Sequence, residues 1–153
     1  MEKRINSLRK KNEKATHAGG VVFREKNGHK EFLLVSAKNF PFIWVLPKGH
    51  IKKSETEVKA AIREVKEESG IKAAIISKIG NAERRRWNFR KQVVAFYQMR
   101  YEAEFEKNKE NRKIEWLSLD DAINKLFYCD QKEILKKLAG LSCIFTAIIN
   151  AYL

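Results

Sequence analysis

A chain of 153 residues, 44% hydrophobic and 33% charged, is long enough for one domain around a single buried core. Its 32 Lys+Arg against 19 Asp+Glu leave a formal net charge of +13, a field that attracts nucleotides, polyphosphates, RNA or acidic lipid surfaces without choosing among them. No stretch approaches the roughly 18 to 20 apolar residues of a membrane span, and no apolar secretory leader follows the basic start. Cys129 and Cys143 lack metal-ligand spacing and read as free thiols of a reducing, cytoplasmic compartment.

Residues 1–14 read as a basic N-terminal arm, loosely docked or phosphate-binding, ahead of a single domain over 15–153. Residues 18–23 predict a first strand, Asn27-Gly28 a tight turn, and residues 31–37 the return strand. Trp44, Val45 and Leu46 predict another short strand, from which Pro47 and Lys48 lead into Gly49. A helix follows, with Ser54 and Glu57 spaced as a capping box and Gly70 placed as its stop. Val58, Ala61, Ile62 and Val65 fall at i, i+3, i+4 and i+7, the spacing of a stripe that docks on a core.

Residues 73–80 predict a strand, and residues 92–105 a longer one in which Val93, Ala95, Tyr97 and Met99 alternate with Val94, Phe96 and Gln98. Residues 114–119 predict a further strand. Residues 120–126 and 131–141 read as helices, the second with Ile134, Leu135 and Leu138 on one face. The tail 141–153 is apolar and nearly uncharged, which predicts packing on the domain or against a second subunit. Strands, a helix, more strands and a closing helix suit an α/β sandwich with a mixed sheet rather than a βαβ repeat.

The chemistry concentrates after Gly49. On a helix Glu64 and Glu68 share one line beside the apolar stripe, and Glu67 sits a quarter-turn or more away. Carboxylates packed so closely repel one another, so without a cation the arrangement costs stability. Hard oxygen donors of this kind suit magnesium or manganese. A solvated acidic face would explain neighbouring glutamates, but not the flanking glycines, the arginine and the spacing together.

From residue 49 the segment GHIKKSETEVKAAIREVKEESGI resembles the signature of the Nudix hydrolases, G-x5-E-x7-R-E-U-x-E-E-x-G-U with U aliphatic. Gly49, Glu55, Arg63, Glu64, Val65, Glu67, Glu68, Gly70 and Ile71 meet its fixed positions. The resemblance implies a Nudix-type α/β/α sandwich with a mixed central sheet. It implies hydrolysis of a nucleoside diphosphate linked to another group, with Mg2+, or Mn2+, as cofactor. Glu64, Glu67 and Glu68 would hold the metal with the carbonyl of Gly49; Arg63 would orient Glu64, and Glu55 would brace the turn. Lys52 and Ser54 stand where many members carry an acid and a glycine, neither at a fixed position.

The general base is left open between Glu64, Glu68 and a carboxylate outside the helix. Glu110 is preferred there over Glu102, Glu104, Glu106 and Glu115. Lys48 could touch a substrate phosphate, and the run Leu46-Pro47-Lys48-Gly49-His50 resembles dinucleoside-polyphosphate hydrolases and RNA 5′-pyrophosphohydrolases. His50 could contact substrate or be incidental. Arg84, Arg85, Arg86, Arg90 and Lys91 surround Trp87 and Phe89 with no acid among them, a composition suited to phosphates and stacked bases. The same aromatics could instead serve the core. Arg86, Trp87 and Tyr128 are the expected substrate contacts beside Lys48.

The expected substrate is a small nucleotide or polyphosphate, diadenosine tetraphosphate first. An RNA 5′ end and a modified nucleoside triphosphate are the alternatives, and a non-catalytic nucleotide-binding module is a remote one. No membrane partner is expected, and the chain is a monomer or a homodimer.

Overall fold

The computed structural model describes residues 13–105 and 107–152, with residues 141–152 as backbone only. In chain order these form β1 (His17–Lys26), β2 (His29–Ser36), β3 (Trp44–Val45), β4 (Lys48–His50), α1 (Glu57–Ser69), β5 (Ile71–Arg85), β6 (Lys91–Glu104), β7 (Ile114–Leu117), α2 (Leu119–Lys125) and α3 (Cys129–Tyr152). One sheet runs β3-β2-β1-β6-β5, with β4 paired to β1 and β7 to β2. β1 lies parallel to β6 but antiparallel to β2 and β4, so the sheet is mixed as expected.

Alternation along the strands fills a layer on each side. Val21, Phe23, Phe32, Leu34, Val94 and Phe96 pack against Ala122, Leu126, Ile134, Leu135 and Leu138 of the α2–α3 layer. Ala18, Val22, Leu33, Val93, Ala95, Tyr97 and Met99 pack against Ala60, Ala61 and Val65 of α1. The period of two read in residues 92–105 thus serves two cores, one per face. The turn at Asn27 and Gly28 is present with positive φ at both residues.

Four details depart from the sequence reading. The helix is capped by Thr56, whose side chain accepts from the Lys59 N–H, and not by Ser54. Ser54 lies two residues further out in a left-handed conformation, φ 68°, so its side chain cannot serve the first turn. The docking stripe is rotated as well: Ala60, Ala61, Glu64, Val65, Glu68 and Ser69 are buried, whereas Val58 and Ile62 are exposed. Small alanines let α1 approach the sheet closely, and that turn of the helix carries two glutamates inward.

β5 extends well beyond residues 73–80 on both sides, paired along its length to β6. Register shifts within it break the alternation of its apolar residues, so its sequence does not show a long strand. β4 carries no apolar pattern at all. It forms because backbones can meet closely there: a Cβ at Gly19 would overlap the Pro47 carbonyl oxygen and Lys48.

Of the basic arm only Glu13 and Lys14 fall within the described residues, and Glu13 pairs with Lys91. The tail continues α3 as helical backbone to Tyr152, while the packing of its side chains lies outside the described residues. Among the described residues no helix is long and apolar enough to cross a membrane. Cys129 is a free, exposed thiol.

Ser54→Gly should raise stability by about 1 kcal/mol, because a Cβ in the left-handed region is disfavoured and the side chain is exposed. A rise in melting temperature of roughly 2–4 °C is the expected reading. His17, at the start of β1, bonds Thr16 Oγ1 at 2.8 Å and lies 3.9 Å from the His50 ring. Burial, then the charges of His50 and Lys48, push its pKa from 6.5 down to about 4. The folded chain therefore holds His17 neutral where the unfolded chain would protonate it. That stability is present above pH 6.5 and is lost progressively down to about pH 4. Denaturant titrations at pH 7 and pH 5 should show a smaller decline for His17→Gln than for the native chain.

Candidate active site

The buried face of α1 presents its carboxylates toward β4. Gly49 sits in β4 opposite Ala18, and a Cβ there would overlap the Glu64 carboxyl group. A side chain at this position would displace the acid, so the glycine lets the Glu64 carboxyl lie directly against β4. Glu68 is 4% exposed, and its Oε2 accepts from the Lys48 N–H at 3.3 Å.

Arg63 ties the helix to the turn before it. Its Nε and Nη2 donate to the two oxygens of Glu55 at 2.8 and 2.9 Å, and Nη2 also donates to the His50 carbonyl at 2.9 Å. Nη1 donates to Glu64 Oε1, and to Glu67 Oε2 at 3.3 Å. Such a forked pair is the strong kind of ion pair. The Arg63 hydrogen bonds, aided by the Lys52 N–H, hold the Glu55 carboxyl down at about 2. The Glu55 hydrogen bonds in turn push the Arg63 guanidinium up.

A second arginine completes the edge. Arg112 Nη2 lies 2.9 Å from Glu68 Oε1 and 2.6 Å from Glu110 Oε2. Glu110 thus comes to the same edge as the helix carboxylates. Burial pushes Glu68 up to about 8; Arg112 opposes that shift, and Glu110 and Glu64 add to it. Glu102 pairs with Lys72, and Glu115 with Lys125, both away from this edge. Glu106 lies outside the described residues.

Among the described residues no three His, Cys, Asp or Glu side chains converge on one point as a preformed metal centre. The acids are parcelled between two guanidiniums, Glu64 and Glu67 on Arg63, Glu68 and Glu110 on Arg112. The donor set is nonetheless all hard oxygen, crowded and partly buried, and it fits a hard divalent cation.

A cleft of about 580 Å³ opens from Glu68, Lys48 and Arg112 to Arg84, Arg86, Trp87, Phe40 and Tyr128. All four expected substrate contacts therefore line one space with one of the acids. Burial, with the charge of Arg84, pushes the Lys48 ammonium down. The Arg84 guanidinium lies 3.6 Å over the Tyr128 ring and donates to Gln92 Oε1 at 3.0 Å. Gln131 Oε1 accepts from the Leu46 N–H at 2.9 Å. Arg84 Nη1 and Gln131 Nε2 are buried with no hydrogen-bond partner. A larger groove of about 780 Å³ on the outer side of α1 reaches Arg63 and Glu67 but not Glu68. The smaller cleft, which holds both acid and anion-binding groups, is the better site. Trp87 is 89% and Phe89 83% exposed, so the hairpin aromatics do not serve the core.

Arg112 and Phe40 were missed in sequence. Arg112 lies in a polar stretch with Lys107, Lys109 and Lys113, where nothing marks one cation from the next. The His50 ring lies tilted against His17, and its backbone carbonyl meets the Arg63 network.

A family model described as NUDIX domain matches residues 13–138. The asymmetrical bis(5′-nucleosyl)-tetraphosphatase of Sus scrofa is 29% identical over 141 residues, 84% of this chain and 96% of that protein. The 8-oxo-(d)GTP phosphatase of Mycolicibacterium smegmatis is 31% identical over 137 residues, 82% of this chain and 42% of that protein. Among solved structures, a C. elegans Ap4A hydrolase binary complex superposes with a TM-score of 0.73 at 28% identity, covering 85% of this chain and 98% of that one. The matched span runs from β1 into α3 and includes the arginine-braced carboxylates and the cleft beside them; the chain is a Nudix-family hydrolase.

Proposed function

We propose that the chain hydrolyses the polyphosphate bridge of a dinucleoside polyphosphate, diadenosine tetraphosphate being the first compound to test, with Mg2+ or Mn2+ as its cation. One observation carries the reading: a single cleft joins the acid edge at Glu68 to flat walls at Tyr128 and Trp87. A phosphate chain and an attached base need both ends of such a space. The match to nearly the full length of the pig tetraphosphatase supports it.

The family uses divalent cations, and Glu64, Glu67 and Glu68 with the carbonyl of Gly49 are the groups that would hold them here. When bound, the cation neutralises phosphate oxygens and acidifies a water. The chain's own residues do the rest. Lys48 and Arg112 neutralise phosphate at the cleft floor, and Arg112 does so beside the Glu68 carboxyl. Tyr128 offers a ring face now covered by Arg84, where a base can lie against either partner. Arg63 fixes Glu64 against Gly49 through Glu55 and the His50 carbonyl. The proton of the attacking water passes to a carboxylate of this edge, Glu64, Glu68 or Glu110.

Incubation of diadenosine tetraphosphate with the chain and Mg2+ in heavy-oxygen water should give AMP and ATP, the label locating the attacked phosphorus by mass. An inert dinucleotide alongside rapid release of pyrophosphate from a nucleoside triphosphate or a triphosphorylated RNA would overturn the reading. Glu64→Gln and Glu68→Gln should each lower turnover by several orders of magnitude. Glu57→Gln should do little, since Glu57 is engaged elsewhere by Lys78 Nζ and Tyr97 OH at 2.8 and 2.9 Å.

Cation binding has a defined pH dependence. Glu68 holds its proton below about pH 8 in the cation-free chain and must lose it to act as a ligand. Apparent Mn2+ affinity should therefore rise with pH up to about 8 and then level off. Calorimetry at pH 6, 7 and 8 checks this, and Glu68→Gln should flatten the profile. Gly49→Ala should weaken Mn2+ binding at every pH, because the added methyl group displaces Glu64.

A further inference from the structure

The β5–β6 hairpin carries more than the cleft uses. Its turn is closed by the Arg86 N–H donating to the Arg90 carbonyl and the Phe89 N–H donating to the Arg86 carbonyl, both at 2.9 Å. The Trp87 and Phe89 rings stand almost wholly in solvent, and neither stacks on another ring or on a cation among the described residues. Phe89 also holds φ 61°, a left-handed conformation in which a bulky side chain is strained and glycine would not be. Exposure and backbone both work against an aromatic at this point, and nothing among the described residues offsets them.

The charges around these rings are not used either. Lys91 is held by Glu13 and Glu83, and Arg84 by Gln92, Tyr128 and Asp130. Arg85, Arg86 and Arg90 form no ion pair among the described residues, and no acid occurs between positions 84 and 92. Three unpaired guanidiniums thus surround two unpartnered rings on one narrow tip. Arg85, Arg86 and Trp87 line the cleft, whereas Phe89 and Arg90 lie outside it.

We propose that this tip is a docking surface for single-stranded nucleic acid, with bases stacked on Trp87 and Phe89 and phosphates paired with Arg85, Arg86 and Arg90. Each base has a face that a ring can cover whatever its sequence, and guanidinium matches phosphate with two parallel donors. An acidic peptide would satisfy the arginines and leave both rings wet. A bilayer needs a continuous apolar face, and here Asn88 and the guanidiniums interrupt it. The surface goes beyond hydrolysis of small nucleotides and does not depend on it.

The probe is a labelled oligoribonucleotide of about 12 nucleotides with a 5′ hydroxyl, which presents no terminal phosphate to the cleft. Fluorescence anisotropy with the full chain should show binding whose logarithm falls with log salt at a slope near about −2, the value for three phosphate contacts on a single strand. Trp87 emission should be quenched, and a duplex of the same sequence should bind more weakly. Phe89→Gly should raise the melting temperature by relieving the backbone, yet weaken binding at least about tenfold. Arg90→Ala should flatten the salt slope by about 0.7. Both variants should hydrolyse a small nucleotide substrate as the native chain does.

Absence of binding at low salt would overturn the proposal, as would binding that Phe89→Gly leaves intact. Association with phosphatidylserine vesicles but not with the oligonucleotide would assign the tip to a membrane surface instead.

Discussion

The fold must accommodate like charges on one buried face of a helix. α1 docks through Ala60, Ala61 and Val65, and the same face carries Glu64 and Glu68 inward. An exposed ion pair is worth about 0–1 kcal/mol and would not decide such a case. These acids are mostly shielded from water, and leaving one uncompensated costs on the order of 3–5 kcal/mol. Arg63 and Arg112 are therefore structural necessities before they have any part in chemistry. Arg63 pairs with Glu55, Glu64 and Glu67, Arg112 with Glu68 and Glu110, and each arginine is itself anchored to backbone, at the His50 carbonyl and at the Ser36 carbonyl.

From that constraint the rest of the site follows. Arg63 reaches back to Glu55, which orders the turn before the helix, and that turn hangs from β4. β4 is fixed to β1 at the centre of the sheet, so the glycine contact with Glu64 rests on a part of the fold that cannot shift independently. The cleft walls come from elsewhere, from the β5–β6 hairpin, the β2–β3 loop and Tyr128 just ahead of α3. The acid edge and the arginine and aromatic walls thus hang on different elements and meet at Lys48, Glu68 and Arg112.

Much of this could be read from the residues. The spacing from Gly49 to Ile71 identified the acids, their arginine and the family. Alternation in residues 92–105 identified an inner strand, because both of its faces are apolar. Where several weak signals competed, the reading failed. Ser54 and Glu57 have the form of a capping box, but the turn required a left-handed residue at 54 and passed the cap to Thr56. Val58 and Ile62 fit the period of a stripe, yet close approach favoured the alanines. β4 is held by backbone pairing alone and leaves no side-chain pattern to find. The pairing of Arg112 with Glu68, 44 positions earlier, is a tertiary contact that no local pattern encodes.

The two guanidiniums have one more consequence. Four acids gathered on one edge would repel one another. Here permanently charged side chains stand in as internal counter-ions. Because each guanidinium also holds a backbone carbonyl, a divalent cation would exchange partners with side chains whose positions the fold already sets, and the surrounding turn and strands would not have to be rebuilt around it.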